Sequence, residues 1–347
     1  MTAAPVGIRR AFVTGATGAI GSALTERLSR EGWQVAALAR RSENAVHFRA
    51  LRGVEVVVGD LDDHATLAEA CRHRDVVFHL AALVHAPAGT PEREFHHVNV
   101  EGTRSLLDAA VRGGAKRFVL FSSVAVYADT SAVMDEGSAT LPQTPYGRSK
   151  LAAERAAGGR RGEIEVTILR LPVVYGRRDR GNVMHLVRAI DRGRFAIVGS
   201  GENLKTMVGL DNVVDATLIA AVDPRAAAKT YIVSDARDYT QAEIAATIAD
   251  LLGKSRRVPK IPRLPMLALG HLADAVSAVV RTSFVFTADR IRKVSASAQF
   301  SGDCFRRELG FVPRQTLRDG LVPVIAELRE DRASFAEQEL DRKPRAK

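Results

Sequence analysis

The chain has 347 residues, 46% of them hydrophobic and 26% charged, a globular composition long enough for one large α/β domain and a smaller lobe without covalent staples. Its two cysteines, Cys71 and Cys304, stand far apart with no CxxC pair, which argues against a disulfide framework or a zinc site and fits a reducing, cytoplasmic compartment. The formal net charge is +10, but the basic residues are scattered and carry no helix-turn-helix, zinc-finger or aromatic–basic pattern, so an anionic small molecule is a better expectation than nucleic acid.

In chain order, β-branched and apolar runs at 11–13, 35–38, 54–58, 76–80, 118–121 and 166–171 predict six strands. Amphipathic segments at 20–30, 63–71, 98–112 and 145–157 predict the helices between them. The strands are apolar throughout rather than alternating, as expected when both faces are buried. Strand–helix alternation at this rhythm predicts a Rossmann-type, doubly wound parallel sheet. After Tyr175 the rhythm breaks. Helical patterns at 183–192, 213–222, 241–252 and 319–329 dominate, with short strands near 195–198 and 231–233. Prolines 259, 262 and 265 exclude a continuous helix there. The expected organisation is a nucleotide-type domain over 1–176, a smaller, mostly helical substrate lobe over 177–335 that returns to the sheet in places, and a basic tail over 336–347.

The longest apolar stretch, 264–280, is interrupted by His271 and Asp274 and is shorter than a membrane span requires. A buried or lid helix is expected, with a membrane-surface anchor or a dimer surface as alternatives. No secretory leader is expected at the N-terminus.

The segment Thr14-Gly15-Ala16-Thr17-Gly18-Ala19-Ile20-Gly21 joins the first strand to the first helix. Gly15 permits a tight turn, Gly18 lets the backbone approach a pyrophosphate, and Gly21 lets the helix pack on the strand. Thr17, Gly18, Ala19 and Ile20 then present the amides of a helix N-terminus to phosphate. On these residues, spaced GxxGxxG, the chain resembles the short-chain dehydrogenase/reductase superfamily in its extended epimerase/dehydratase-like branch, most strongly over 9–176.

The second strand ends Leu38-Ala39-Arg40-Arg41, with Ala39 where an NAD-type acid would stand. Arg40 would pair with a 2′-phosphate, so NADP(H) is expected to be preferred, with NAD(H) as the alternative. The resemblance implies that Asp60, followed by Leu61, contacts the adenine edge. It also implies that small Ala81 and Ala82 let the cofactor lie against the fourth strand. Asn99 resembles an Asn near the family's active site, with a structural amide as the alternative.

Tyr146-Gly147-Arg148-Ser149-Lys150 is a YxxxK motif, which brings a phenol and an ammonium to one helix face. A nearby ammonium and the positive charge of a nicotinamide both favour phenolate, so the Tyr146 pKa is expected to fall towards the working pH and the phenol to exchange a proton with an alcohol oxygen. The resemblance implies that Lys150 also hydrogen-bonds the nicotinamide ribose and that the catalytic hydroxyl is Ser123 rather than Ser122. Relatives that dehydrate a sugar carry Asp-Glu after that hydroxyl. Val124 and Ala125 stand here, so a 4,6-dehydratase is not expected.

The resemblance continues through Leu169-Arg170-Leu171-Pro172-Val173-Val174-Tyr175-Gly176, Asn182-Val183-Met184 and the segment 208–215. It implies diphosphate contacts from Asn182, from Lys205 and, loosely, from Arg292. No metal site is expected. The leading expectation is hydride transfer on a nucleotide-diphosphate sugar, by a 4-epimerase or a keto-sugar reductase. The alternatives are an NADP-dependent reductase or dehydrogenase of a hydrophobic alcohol or ketone, of steroid or flavonoid type, and a non-catalytic NADP(H) sensor. A homodimer through the helices 98–112 and 145–157 is implied by fold analogy.

Overall fold

The computed structural model describes residues 9–84, 86–87, 89–255, 258–266 and 295–342. Seven strands form the central sheet: β1 (Arg10–Thr14), β2 (Gln34–Ala39), β3 (Val54–Val58), β4 (Val76–His79), β5 (Arg117–Ser123), β6 (Glu165–Leu171) and β7 (Thr230–Ile232). Their order is β3-β2-β1-β4-β5-β6-β7 and every pairing is parallel. The six predicted strands are all present. The seventh, β7, is the return of the second half to the sheet.

Continuous apolar strands make sense once both faces are covered. Consecutive residues enter opposite cores: Phe12, Ala36, Val77 and Phe118 face one side, while Val13, Ala37, Phe78 and Val119 face the other. The first face is covered by α2 (His64–Cys71), α4 (Gly102–Arg112) and α5 (Pro145–Gly158), the second by α1 (Ala19–Arg30) and α7 (Leu210–Val222), with α9 (Asp303–Leu309) closing the β7 end. Thr144 begins α5 by accepting the Gly147 N–H, and Pro145 supplies a first residue with no N–H to waste.

The helix expected over 98–112 differs in its first turns. A short α3 (Glu92–His96) runs through a single π turn, His97–Glu101, into α4. The wider turn accompanies Asn99, whose amide is turned onto the β4 loop and α5. Hydrophobic periodicity cannot reveal such a turn, because it is set by one polar side chain.

A further core lies among α6 (Asn182–Asp191), α8 (Gln241–Leu251) and the start of α10 (Leu317–Arg342), from Val183 and Val187 through Ile248 to Leu321 and Val324. Tyr175, just past β6, is fully buried in that core. Its hydroxyl donates to Asp235 at 2.6 Å, and Asp235 also accepts from Tyr239, the Gly209 amide and Asn212. Burial raises the Asp235 carboxyl pKa against the lowering effect of these donors. No helix among the described residues is long and apolar enough to cross a membrane. The expected helix over 264–280 lies outside the described residues from 267 onward.

Candidate active site

β1 and β4 are neighbours at the middle of the sheet, and the chain leaves them in opposite directions, so a crevice opens beyond their carboxyl ends. The glycine turn borders it. Gly15 has φ +65°, and a Cβ there would come within 2.6 Å of the Ala81 nitrogen. A Cβ at Gly21 would collide with the Gly15 carbonyl oxygen, which fixes how closely α1 can approach the turn. A Cβ at Gly18 would press on the Gly15 carbonyl oxygen at 3.3 Å, and Thr17 and Gly18 are exposed. No side chain caps α1, so its first-turn amides are left for an anionic group. These residues fit a dinucleotide pyrophosphate.

Ala39, the last residue of β2, is buried, and the following Arg40 is exposed with no side-chain partner among the described residues. Asp60 is exposed after β3 and accepts the Leu61 amide at 2.6 Å. Leu61 is buried against Gly102, where a Cβ would stand 2.7 Å from its Cδ1. Leu61 therefore anchors the Asp60 turn to α4. Ala81 and Ala82, half-buried, follow β4.

Beneath that loop is a polar chain that sequence patterns did not suggest. The Thr103 hydroxyl donates to the Asn99 carbonyl at 2.6 Å, so it can only accept from His79 Nε2, at 2.9 Å. His79 Nδ1 is then left to accept from the Thr14 hydroxyl at 2.8 Å, which in turn accepts the Ala81 amide at 3.3 Å. Burial first, and the Lys150 charge second, push the His79 pKa down to about 3. A neutral imidazole thus ties β1, β4 and α4 together under the crevice. The Asn99 amide, also buried, accepts the Leu83 N–H at 2.7 Å and donates to the Leu83 carbonyl and to Ser149. Every polar atom of that side chain is engaged in holding the β4 loop to α5.

Ser123 ends β5, and its hydroxyl lies near enough to the Tyr146 phenol on α5 to lower that phenol's pKa. One turn along α5, Lys150 is buried and its ammonium donates to the Phe121 carbonyl at 2.5 Å. Burial pulls the Lys150 pKa down to about 8, opposed by the field of Glu154. In the chain by itself, the balance at Tyr146 is set by burial. Burial holds its pKa above the ordinary phenol value, and the neighbouring Ser123 hydroxyl opposes it. The Lys150 ammonium, directed at Phe121, contributes no lowering of its own.

Ser122 points to the other side of β5, as strand alternation requires, and donates to Glu154 at 2.5 Å. Glu154 also receives Arg170 in a two-pronged pair at 3.0 and 2.7 Å, and both partners are buried. Arg170 donates further to Tyr127 at 2.6 Å, over whose ring it lies. Sequence reasoning missed Glu154 as a site residue. The available signal was its spacing of four from Lys150, together with an arginine inside the strand 166–171.

The residues expected to grip a diphosphate are less gathered. Asn182 is exposed at the start of α6, where amides donate to a nearby acid: Asp179 accepts the Gly181 and Met184 N–H groups. Lys205 is half-buried, its ammonium donating to the Ala296 carbonyl at 2.6 Å, and burial lowers its pKa. Arg292 lies outside the described residues. No cluster of three or more metal-ligating side chains occurs among the described residues.

The strand order, the glycine turn and the crevice define a Rossmann-type, nucleotide-binding class of protein. The family model of the NAD dependent epimerase/dehydratase family matches residues 11–234, and the chain belongs to that family, among the extended short-chain dehydrogenases/reductases. It is 31% identical over 268 residues, covering 76% of this chain and 80% of the relative, to N-acetyl-alpha-D-glucosaminyl-diphospho-ditrans,octacis-undecaprenol 4-epimerase of Escherichia coli O157:H7. It is 30% identical over 319 residues, 90% of this chain and 94% of the relative, to a 4-hydroxy-2-methyl-3-oxo-4-farnesyl-3,4-dihydroquinoline-1-oxide ketoreductase of Stigmatella aurantiaca. Among solved structures, MoeE5 in complex with UDP-glucuronic acid and NAD superposes with a TM-score of 0.73 at 28% identity, over 93% of this chain and 99% of that one.

Proposed function

We propose that the chain is an NADP(H)-preferring oxidoreductase that transfers a hydride at a carbinol or ketone of a nucleotide-diphosphate sugar, as a 4-epimerase or a keto-sugar reductase. The observation that carries this reading is the convergence of Ser123, Tyr146 and Lys150 at the end of β5, beside a glycine turn that fits a dinucleotide. The 4-epimerase relative and the UDP-glucuronic acid complex support the sugar diphosphate. The farnesyl-quinoline ketoreductase supports a second reading, reduction of a hydrophobic ketone, by the same three residues.

The nicotinamide, when bound, supplies the hydride donor or acceptor and, oxidised, a positive charge. The protein's part is proton management. Ser123 donates to the substrate oxygen and stabilises charge developing on it. Tyr146 gives or takes that oxygen's proton. Its raised pKa keeps the phenol protonated before cofactor arrives, which readies it as the acid of a reduction. Lys150 holds the ribose. Val124 and Ala125 have no group that could move a proton on the neighbouring carbons, so dehydration does not follow. Arg40 offers a cation for a 2′-phosphate. The proposed arrangement is a cofactor domain over 1–176, a substrate lobe over 177–335 with Asn182, Lys205 and Arg292 facing the diphosphate, and a homodimer through α4 and α5.

The first test is the nucleotide released from purified protein on denaturation. Tightly held NAD would favour an epimerase that recycles its hydride and would count against the Arg40 assignment. An empty site that prefers NADPH directs the substrate screen to keto-sugars and ketones. With a substrate in hand, Tyr146→Phe lowers turnover about 10²–10⁴-fold and leaves cofactor affinity nearly unchanged. Retained turnover would remove Tyr146 from the chemistry.

A further inference from the structure

One exposed strip of the second half is built unlike the rest of the surface. The short strand Lys260–Ile261 pairs with Ile197–Val198, through Ile197 N–H to the Pro259 carbonyl at 2.8 Å and Gly199 N–H to the Ile261 carbonyl at 2.9 Å. Those bonds fix the strip to the folded body. Residues 259–265 are all exposed: Lys260 and Ile261 run extended as the strand, Pro262 ends it, and Arg263, Leu264 and Pro265 enter a helical turn whose early position tolerates the proline. Leu264 is 81% exposed, more than any other large hydrophobic side chain among the described residues, and Ile261 is exposed three residues before it.

Cations surround this apolar pair. Lys260 and Arg263 alternate with it, and Arg192 and Arg194 are exposed in the turn leading to the partner strand. From 254 to 273 the sequence holds five lysines and arginines and no acid. Two acids that lie near in the chain are already matched. Asp191 is buried beside Lys254 and Arg332, and Asp250 pairs with Arg318 at 2.7 Å. Glu202 is the exposed acid on the adjoining loop.

We propose that residues 259–265, with Arg192 and Arg194, form a docking surface for an anionic lipid bilayer. Charge complementarity selects that occupant. An anionic leaflet attracts each nearby lysine or arginine with an energy that salt screens, and an apolar side chain entering the headgroup boundary adds a part that salt does not screen. Durable but reversible adsorption takes both signals, and this strip presents both on a short strand bonded to the folded body and the helical turn that follows it. Nucleic acid would use the cations but leave Leu264 in water. The inference is independent of which substrate the crevice takes.

The test is flotation of the full chain with vesicles of pure phosphatidylcholine and vesicles containing roughly one-third phosphatidylglycerol, at low and high salt. Binding is expected to the anionic vesicles and not to the neutral ones. Lys260→Glu with Arg263→Glu lowers the partition about tenfold or more, while Arg49→Glu with Arg112→Glu, the same change in net charge on remote exposed positions, lowers it only slightly. Leu264→Ser removes the binding that survives high salt. Melting temperatures confirm that each variant is folded. No binding to anionic vesicles, equal loss in both charge-reversed pairs, or indifference to Leu264→Ser each overturns the proposal; the second would point to diffuse charge of the kind that binds nucleic acid.

Discussion

Two single residues carry predictions of opposite kinds, one about an exposed cation and one about a buried base. Arg40 follows the buried end of β2, exposed and with no side-chain partner among the described residues. If it reads a 2′-phosphate, Arg40→Ala removes a charge-assisted contact and weakens NADPH by about 10- to 100-fold, with NADH changed less than about threefold. Fluorescence titration of both nucleotides checks this, and an unchanged ratio would refute the assignment. His79 works by staying neutral. Its pKa falls from 6.5 unfolded to about 3 folded, so between those values the unfolded chain binds the extra proton. Stability is full above about pH 6.5 and drains away as pH falls toward 3, by about 5 kcal/mol. His79→Gln is less stable at neutral pH, having lost part of the Thr14–His79–Thr103 chain. Its unfolding free energy should nonetheless lack the one-proton slope over that window, measured by urea denaturation at several pH values. An identical slope in both proteins would mean that other groups carry the acid sensitivity.

At the scale of elements, the clamp formed by Glu154, Ser122 and Arg170 joins α5, β5 and β6 directly behind Ser123 and Lys150. Glu154→Gln leaves a buried guanidinium without its counter-charge and should cost about 3–5 kcal/mol in denaturant unfolding. It also removes a field that raises the Lys150 pKa, so that pKa should fall below about 8. Joining it with Arg170→Met should cost clearly less than the two single changes summed; strict additivity would show that the clamp is not one unit. The clamp also marks where sequence reading stops. The strands were legible because burial on both faces leaves an unbroken apolar run, and the glycine turn because a Cβ at Gly15 or Gly21 would strike backbone. Tyr146 and Lys150 could be picked out because they stand four apart on a helix, whereas the choice of Ser123 over Ser122 came from the family resemblance. Glu154 and Arg170 meet only through the packing of α5 on β6, and no local spacing encodes that. The same holds for His79, whose partners Thr14 and Thr103 lie 65 and 24 residues away.

Across the whole molecule, two apolar bodies meet at a polar hub. The sheet cores and the α6–α8–α10 core come together around Tyr175 and Asp235, a buried acid that accepts from two phenols, an amide side chain and a backbone N–H. Asn212 extends the hub by accepting the Arg314 and Gln315 amides just before α10. A hydrophobic core does not by itself fix how it sits on another, whereas four directed hydrogen bonds to one carboxylate do. Removing the acceptor should therefore separate the two bodies before it melts either one, since each donor left buried and unpaired costs about 1–3 kcal/mol at their junction. The expectation is one calorimetric transition for the native protein and two for Asp235→Ala, the lower belonging to the α6–α8–α10 body. NADP(H) should then raise the upper transition, that of the crevice-bearing sheet, and leave the lower where it is. A single transition that shifts as a whole in Asp235→Ala would show instead that the apolar contacts of Tyr175 suffice to hold the halves as one cooperative unit.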